Sequence, residues 1–311
     1  MSASLTIAYF GLPLGALCLH QDGHCLAFTV LSPVDAVGRR RLRRQVCCPQ
    51  LDALEMDRAE LEARVDVMWR SRPVDLLVSW FWTRRLPAGW IEQPRFGAIG
   101  CHPSLLPRHR GPDPYFWTID SGDALAGVSV HRLETSYDTG RVLAQRAISV
   151  GNRDAWQLAR ALDRPGLALL RCVLVDFSSG TMPAGAVQDS SRATWAPTPS
   201  GDLLRVNFCW PTERVLRRMR ALAPLPGVAL EVEGLPFRVA AATRGQHVDP
   251  LVAGEAFIGS EISIQTADGA VKIERAWISD GDQDTLVSGS ELAALVSAQS
   301  RMISCPRSGD G

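Results

Sequence analysis

The chain of 311 residues lacks any hydrophobic run near the roughly 20 residues that a membrane-crossing helix needs. Its first residues also lack the charged start and apolar centre of a secretory signal peptide. Basic and acidic residues both number 33, so a net charge that would attract nucleic acid or an anionic membrane is missing as well. We therefore expect a soluble, cytoplasmic protein that does not associate with a membrane.

The common motifs of metal and nucleotide-phosphate sites are absent too. The eight cysteines show no CxxC spacing, which argues against a zinc site, and a disulfide framework is not expected in a chain of this length. The sequence contains neither GxGxxG nor GxxxxGK[ST]. These absences predict reduced thiols, no metal, and no nucleotide held by either of those phosphate-binding loops.

The first 177 residues alternate between strand-like and helix-like segments. An amphipathic spacing at 54–68 and a capping-box pattern at 154–157 predict helices, and the second of these is expected to break at Pro165-Gly166 and to resume to about Phe177. Strands alternating with helices predict an α/β fold, Rossmann-like, with a mostly parallel sheet and helices on both faces. The predicted strands are 5–10, 25–31, 74–82, 97–101, 126–133 and 142–148.

The second half of the chain has a different pattern. Residues 178–201 are rich in Ser, Gly, Pro and Thr, as in a linker. Beyond them, one amphipathic helix precedes short strands separated by glycines, which predicts a small, β-barrel-like (OB-like) domain. The predicted division is therefore 1–177 for the α/β domain, 178–201 for the linker, 202–297 for the barrel-like domain, and 298–311 for a flexible tail.

A polar turn at 100–111 follows the apolar strand at 97–101 and contains two histidines, two arginines and two prolines. The carboxyl end of a strand is where open α/β sheets place their sites. His102 is the best candidate for a general acid or base, because the ordinary pKa of histidine lies near neutrality. Asp138, in a glycine-containing turn, is a candidate partner that would orient this histidine. From spacing alone, a purely structural role for His102 stays open.

The sequence of this turn and the residues at several later positions resemble the signature of the folate-dependent formyltransferase family. The resemblance rests on the run from His102 to Gly111, on Asp138-Thr139-Gly140, and on the isolated positions Trp117, Gly122 and Gly127-Val128, and it covers most of the chain. It implies transfer of a formyl group from 10-formyltetrahydrofolate, without a metal, in a cleft at the carboxyl ends of the strands. Residues 1–177 would then be the formyltransferase catalytic domain, with His102 and Asp138 as its catalytic residues.

The same resemblance suggests where the ligands lie. The turn Arg85-Leu86-Pro87 sits where the family binds the pterin ring of the folate, largely through backbone groups. Two alternatives are open for His109 and Arg110: they are solvent-facing loop residues, which is the favoured interpretation, or they contact a carboxylate or phosphate of the substrate. His131 is expected to face either the core or the cleft, and Cys101 is expected to pack in the core.

One position departs from the family pattern. The family has an asparagine two residues before the histidine, and here that position is Gly100. Loss of such a donor to the developing oxyanion typically costs roughly 2.7–4 kcal/mol of barrier. Three explanations are open: water or a backbone N–H replaces the donor; the reaction is hydrolysis of 10-formyltetrahydrofolate or transfer to a carrier thiol; or the chain binds folate without turnover.

The acceptor that we predict is the amine of a small molecule. Methionyl-tRNA is the alternative, because the barrel-like domain and the arginine run Arg39–Arg44 resemble parts of the tRNA enzyme. Against it stand Gly100, the zero net charge, and the stretch 111–117, which does not resemble that enzyme. The arginine run is expected to be a solvated loop, with contact to a phosphate or an acidic partner as the alternative.

Overall fold

The first half of the chain supplies seven β-strands in the computed structural model, which describes residues 4–281 and 283–304, with side chains no further than 299. In chain order the strands are β1 (Thr6–Gly11), β2 (Cys25–Leu31), β3 (Gln50–Asp52), β4 (Leu76–Trp80), β5 (Ala98–His102), β6 (Leu125–Arg132) and β7 (Val142–Ser149). They form one sheet in the order β3-β2-β1-β4-β5-β6-β7. The first five strands in this order pair in parallel, and β6 pairs antiparallel with both β5 and β7. The mostly parallel, Rossmann-like sheet is thus confirmed.

Six α-helices accompany these strands. In chain order they are α1 (Pro13–Gln21), α2 (Arg39–Gln45), α3 (Arg58–Trp69), α4 (Ala88–Glu92), α5 (Pro114–Asp120) and α6 (Ala155–Ser178). Strands β1, β2, β4 and β5 are buried along almost their whole length, because elements pack against both faces of the sheet. Their continuous apolar sequences therefore match strands that are buried on both faces of the sheet.

The parallel pairing decides where the candidate site lies. Strand β4 lies between β1 and β5, and all three run in the same direction. The carboxyl ends of parallel neighbours meet at one edge of a sheet, which is where open α/β sheets bind ligands. The segments 81–87 and 102–111, which follow β4 and β5, therefore leave the sheet side by side.

Helix α6 corrects one expectation. The break predicted at Pro165-Gly166 is wrong, because the helix runs unbroken from Ala155 to Ser178. The absence of a side chain at Gly166 lets the helix backbone approach the sheet: an added Cβ would lie 3.4 Å from Cys101 Sγ and 3.4 Å from Phe81 Cζ. Close packing on the sheet outweighs the missing N–H of Pro165, as tertiary context commonly overrides helix propensity.

The second sheet is antiparallel and curled, as expected for a barrel-like, OB-like unit. The elements of this half are α7 (Thr212–Leu222), β8 (Val228–Val232), β9 (Leu235–Gly245), β10 (Ala256–Ile258), β11 (Ile262–Thr266), β12 (Gly269–Asp280), β13 (Gln283–Ser288) and α8 (Gly289–Ser304). The strand order in the sheet is β10-β11-β12-β9-β8, with β13 paired to β12. The tail predicted from 298 begins inside α8, and its residues 305–311 lie outside the described part of the chain.

By its internal contacts the chain divides into two units. One comprises residues 1–114, 125–149 and 160–197, and the other comprises 115–124, 150–159 and 198–311. The boundaries that we placed at 177 and 202 stay a prediction. Among the described residues, none of the helices combines the length and the apolar character that a membrane crossing requires.

A buried ion network lies within the second of these units. Asp120, which is 7% exposed, accepts hydrogen bonds from Arg218 at 2.7 and 3.0 Å and from Arg214 at 2.6 and 3.1 Å. Burial opposes ionisation of this carboxyl, but the bonds from Arg218 and Arg214 outweigh it and lower the pKa of Asp120. Two guanidinium groups thus share one buried carboxylate.

We expect Asp120→Asn to lower the free energy of unfolding by about 3–5 kcal/mol, because it leaves buried Arg218 without its counter-charge. The folded-state pKa of Asp120 is depressed, so its contribution is present above the unfolded pKa and is lost as the pH falls through the folded value. Denaturant unfolding at pH 7 and at acid pH measures both effects. The control is Glu213→Gln on α7, whose exposed pair with Arg220 contributes about 0–1 kcal/mol; equal losses in the two variants would contradict the prediction.

Candidate active site

The turn after β5 is held in place by hydrogen bonds from β6 and β7. Ser129 Oγ accepts from the N–H of Leu106 at 3.1 Å and donates to the carbonyl of Ser104 at 2.6 Å. Gln145 Nε2 donates to the carbonyl of Leu106 at 2.7 Å and to Ser129 Oγ at 2.9 Å. The loop at 102–111 is therefore fixed in place, and its prolines restrict its backbone further.

His102 is the last residue of β5, and its side chain is buried, with 8% of the residue exposed. Its Nε2 lies 2.8 Å from the carbonyl oxygen of His109. Because a carbonyl only accepts, Nε2 must carry the proton, and Nδ1 of the neutral ring is then the unprotonated nitrogen. Burial lowers the pKa of His102 and outweighs the opposite effect of Asp138. The neutral ring therefore offers Nδ1 as a base.

Asp138 faces that nitrogen from the loop after β6. Its Oδ2 lies 3.6 Å from His102 Nδ1, too far for a hydrogen bond, and accepts from the N–H of Gly111 at 2.8 Å. Burial disfavours the charged form, yet His102, His131 and the Gly111 N–H outweigh it and hold the pKa of Asp138 below the ordinary range. Asp138 also has a φ of +53°, which an aspartate tolerates better than most residues. The structure thus brings the two predicted catalytic residues together as an ionised carboxylate beside a neutral imidazole.

The loop that carries Asp138 is fixed by Gln188, which lies in the predicted linker. Gln188 Nε2 donates to the carbonyls of Asp138 and Gly140, both at 2.7 Å. Its Oε1 accepts from Arg110 Nε at 3.1 Å and from Arg110 Nη2 at 2.7 Å. Arg110, predicted to bind substrate, therefore holds the loop that carries Asp138 through Gln188.

His109 is 4% exposed, so the solvent-facing alternative is wrong for this residue. Its backbone has a φ of +58°, and its N–H donates to Thr194 Oγ1 at 2.8 Å. This conformation aims the carbonyl of His109 at His102 Nε2. The segment 188–194, predicted to be part of a linker, thus supplies two side chains, Gln188 and Thr194, that anchor the site.

The turn Arg85-Leu86-Pro87, predicted to bind folate, is hydrogen-bonded to the loop that carries Asp138. Arg85 Nη2 donates to the carbonyl of Thr135 at 2.6 Å, three residues before Asp138 in the sequence. Leu86 is buried in the core, so mainly its backbone is available, and Pro87 directly precedes α4. Within the described residues, two nearby buried donors, Trp82 Nε1 and Arg84 Nη1, have no hydrogen-bond partner. Buried donors without partners are costly, which fits a ligand that presents acceptor atoms here.

The structure also tests predictions about residues other than His102 and Asp138. The arginine run forms helix α2 and not a loop, while Arg40, Arg41, Arg43 and Arg44 are exposed to solvent as expected. Arg39 pairs with buried Asp52, and Arg43 pairs with Glu55. Cys101 packs in the core, where burial raises the pKa of its thiol. His131 is buried and lies 3.4 Å from Asp138 Oδ1. In the part of the chain that the structure describes, no group of three or more His, Cys, Asp or Glu side chains could hold a metal ion.

The sequence matches the family model described as formyl transferase over residues 19–167 and the formyl transferase C-terminal domain over residues 202–284. Methionyl-tRNA formyltransferase from Dehalococcoides mccartyi is 29% identical over 87% of this chain and 90% of its own length. The methionyl-tRNA formyltransferase of Halorhodospira halophila is 31% identical over 70% of each chain.

Two solved structures share the fold. HypX from Aquifex aeolicus, in complex with tetrahydrofolic acid, aligns with a TM-score of 0.70 at 18% identity over 94% of this chain. The chain spans about half of that protein, 48% of its length. The N-formyltransferase from Helicobacter canadensis, in complex with folinic acid and dTDP-3-aminofucose, aligns with a TM-score of 0.64 at 13% identity over 86% of this chain and 98% of that one. At these identities the likeness concerns the fold alone.

Proposed function

The chain belongs to the formyl transferase family, and we propose that it transfers a formyl group from 10-formyltetrahydrofolate to an amine of a small-molecule acceptor. The observation that carries the proposal is the buried pair of a neutral His102 and an ionised Asp138. This pair places an unprotonated imidazole nitrogen 3.6 Å from a fixed carboxylate, which are the base and the counter-charge that acyl transfer to an amine requires.

Bound 10-formyltetrahydrofolate supplies the electrophilic formyl carbon and a nitrogen that leaves. His102 Nδ1 accepts the proton of the attacking amine, since Nε2 is committed to the His109 carbonyl. Protonated Nδ1 lies beside Asp138 Oδ2, whose charge stabilises the imidazolium, and the proton then passes from Nδ1 to the folate nitrogen as that nitrogen leaves. The imidazolium places positive charge in a buried site at the stage when negative charge develops on the substrate.

Folate would be held at the turn Arg85-Leu86-Pro87 by backbone groups. The unpartnered donors Trp82 Nε1 and Arg84 Nη1, in the same segment, support this assignment, because a pterin ring presents acceptor atoms. On the acceptor side we retain His109 and Arg110. Arg110 Nη1 is the guanidinium nitrogen that Gln188 does not engage and would contact a carboxylate or phosphate.

Two observations favour a small acceptor. Arg39 and Arg43 form ion pairs with acidic residues of the chain, which reduces the basic surface that a tRNA phosphate backbone would need. Exposed Tyr137 and Trp195 form an aromatic pair, with ring centroids 5.9 Å apart, and Tyr137 directly precedes Asp138. Such a pair offers a stacking surface to a planar or apolar part of a small amine.

Methionyl-tRNA is the second candidate. The relatives named methionyl-tRNA formyltransferase match over most of their length, and the C-terminal domain is included in the family match. This candidate is judged in the same experiment.

The test measures tetrahydrofolate release from 10-formyltetrahydrofolate, with mass spectrometry of the products. Five reactions are compared: an amino-sugar nucleotide with free amino acids, methionyl-tRNA, a phosphopantetheine thiol, no acceptor, and the His102→Ala variant with the amine pool. We expect release to be much faster with the small amines and a formylated amine to accumulate. Equal release with and without amines would indicate a hydrolase, release only with the thiol or only with tRNA would name that acceptor instead, and no release would indicate a folate-binding module; each outcome would overturn the proposal.

A further inference from the structure

Gly100 lies opposite His131 in the sheet. Strands β5 and β6 are antiparallel, and their register pairs these two residues directly. A Cβ added at Gly100 would lie 3.0 Å from His131 Nε2 and 2.7 Å from Leu133 Cδ2. His131 is 1% exposed, so its ring cannot retreat into solvent. Glycine at 100 therefore leaves the volume that the imidazole of His131 occupies.

Both ring nitrogens of His131 face acceptors. Nδ1 lies 2.8 Å from the carbonyl oxygen of Arg132, and Nε2 lies 3.4 Å from Asp138 Oδ1. A carbonyl and a carboxylate only accept, so the ring donates in both contacts only when both of its nitrogens carry a proton, as in the imidazolium form. The ring of His102 lies edge-on to the ring of His131, with centroids 6.3 Å apart.

The carboxylate of Asp138 is thereby divided between partners. Oδ1 faces His131, whereas Oδ2 accepts from the Gly111 N–H at 2.8 Å and faces His102 at 3.6 Å. A carboxylate held at both oxygens cannot rotate, and the oxygen turned to His102 is fixed. The ionisable groups that face the His131 ring are Asp138 and His102.

We propose that Gly100 and His131 are a matched pair, in which His131 is a positioning residue that donates from Nε2 to Asp138 and fixes this carboxylate against His102. A side chain at position 100, such as the asparagine that the family resemblance leads one to expect, would displace Leu133 Cδ2 and crowd His131 Nε2. The inference rests on the proposed formyl transfer for its kinetic consequences, but the hydrogen bond itself belongs to the resting protein.

The pairing also affects the proton on His102. The charged form of His131 opposes protonation of His102 and acts in the same direction as burial. A neutral side chain at 131 would leave Asp138 less neutralised, so the pKa of His102 would rise. Since formyl transfer needs neutral His102, the acid limb of the pH profile would move to higher pH.

The kinetic experiment uses the full chain and four variants: His131→Gln, His131→Leu, Gly100→Asn, and Gly100→Asn combined with His131→Ala. We expect His131→Leu and Gly100→Asn each to lower kcat by about 10- to 100-fold with little change in KM, because Asp138 loses a buried donor. His131→Gln retains a donor, so it should recover part of kcat and shift the acid limb upward. The double variant also lacks the donor at position 131, so it should be no more active than His131→Leu.

The matched control is Gly201→Asn, since a Cβ at this glycine meets nothing within 4 Å and asparagine tolerates its left-handed φ of +56°. Circular dichroism and thermal unfolding show which variants fold. Near-wild-type kcat in Gly100→Asn, or an unchanged rate and pH profile in folded His131→Gln, would overturn the inference.

A measurement without substrate separates this inference from the proposed function. Nitrogen-15 spectra of the histidine rings in the resting protein should show a proton on His131 Nε2, and Asp138→Asn should shift that signal. An unprotonated Nε2 would overturn the inference even in an active enzyme. If the wild type turns over no folate, the proposed function fails, and these spectra still decide whether the matched pair exists.

Discussion

His102→Gln will lower kcat for formyl transfer by about 10²- to 10⁴-fold, the usual contribution of a general base. The glutamine amide can still donate to the His109 carbonyl, so the contact at 2.8 Å is retained. What disappears is Nδ1, the nitrogen that faces Asp138 and would accept the proton of the amine. KM for folate should change little, because the predicted pterin turn at 85–87 is untouched.

Steady-state rates over a pH series measure this effect. Burial lowers the pKa of His102, so wild-type kcat/KM should stay high to a pH below the ordinary histidine value of about 6.5 and fall as His102 is protonated. This acid limb should be absent from His102→Gln. The exposed residue His20 provides the control variant His20→Gln, which should keep the wild-type profile; a variant at 102 with more than a tenth of the wild-type rate would contradict a base role.

The parts of the fold that could be predicted from sequence are those with local signals. Strand runs such as Leu76–Trp80 are continuous and apolar, and the capping box is present, with Asp154 Oδ1 accepting from the Gln157 N–H at 2.7 Å. The helix break at Pro165 was predicted wrongly, because the close approach of Gly166 to the sheet is a tertiary fact. The short strand Gln50–Asp52 carries too few residues for a periodic signal.

The site divides in the same way. His102 and Asp138 could be found because a polar loop after an apolar strand and a glycine-containing turn are readable in one window. Gln188 could not, since it reaches the carbonyl of Asp138 across 50 positions of sequence from a segment whose composition resembles a linker. Thr194 is separated from His109 by 85 positions. Anchors that bond to backbone atoms leave no pattern in the residues they hold.

Gly100 shows what a single departure from a family pattern means physically. Read alone, it is a missing oxyanion donor. The register of β5 and β6 places His131 opposite Gly100, so the ring of His131 lies in the space beside this glycine. A glycine and a histidine 31 positions apart therefore have to be read together, and only the strand pairing joins them.

Asp138→Asn will have an effect of similar size, lowering kcat by about 10²- to 10⁴-fold. Asparagine is nearly the same shape and can still accept from the Gly111 N–H at 2.8 Å. Its amide group, however, can donate to His102 Nδ1 and occupy the lone pair that the amine proton needs, and it supplies no charge to stabilise the imidazolium.

The pH dependence of Asp138→Asn separates loss of charge from loss of fold. Asp138 raises the pKa of His102 in the wild type, so its neutral replacement should move the acid limb of the residual activity to lower pH, opposite to the shift expected for His131→Gln. Glu134→Gln, an exposed carboxylate in the same loop, is the matched control and should leave rate and profile unchanged. Asp138→Asn and His131→Gln should move the acid limb of the pH profile in opposite directions only if both side chains act on His102. A general loss of structure would lower the rate without moving this limb.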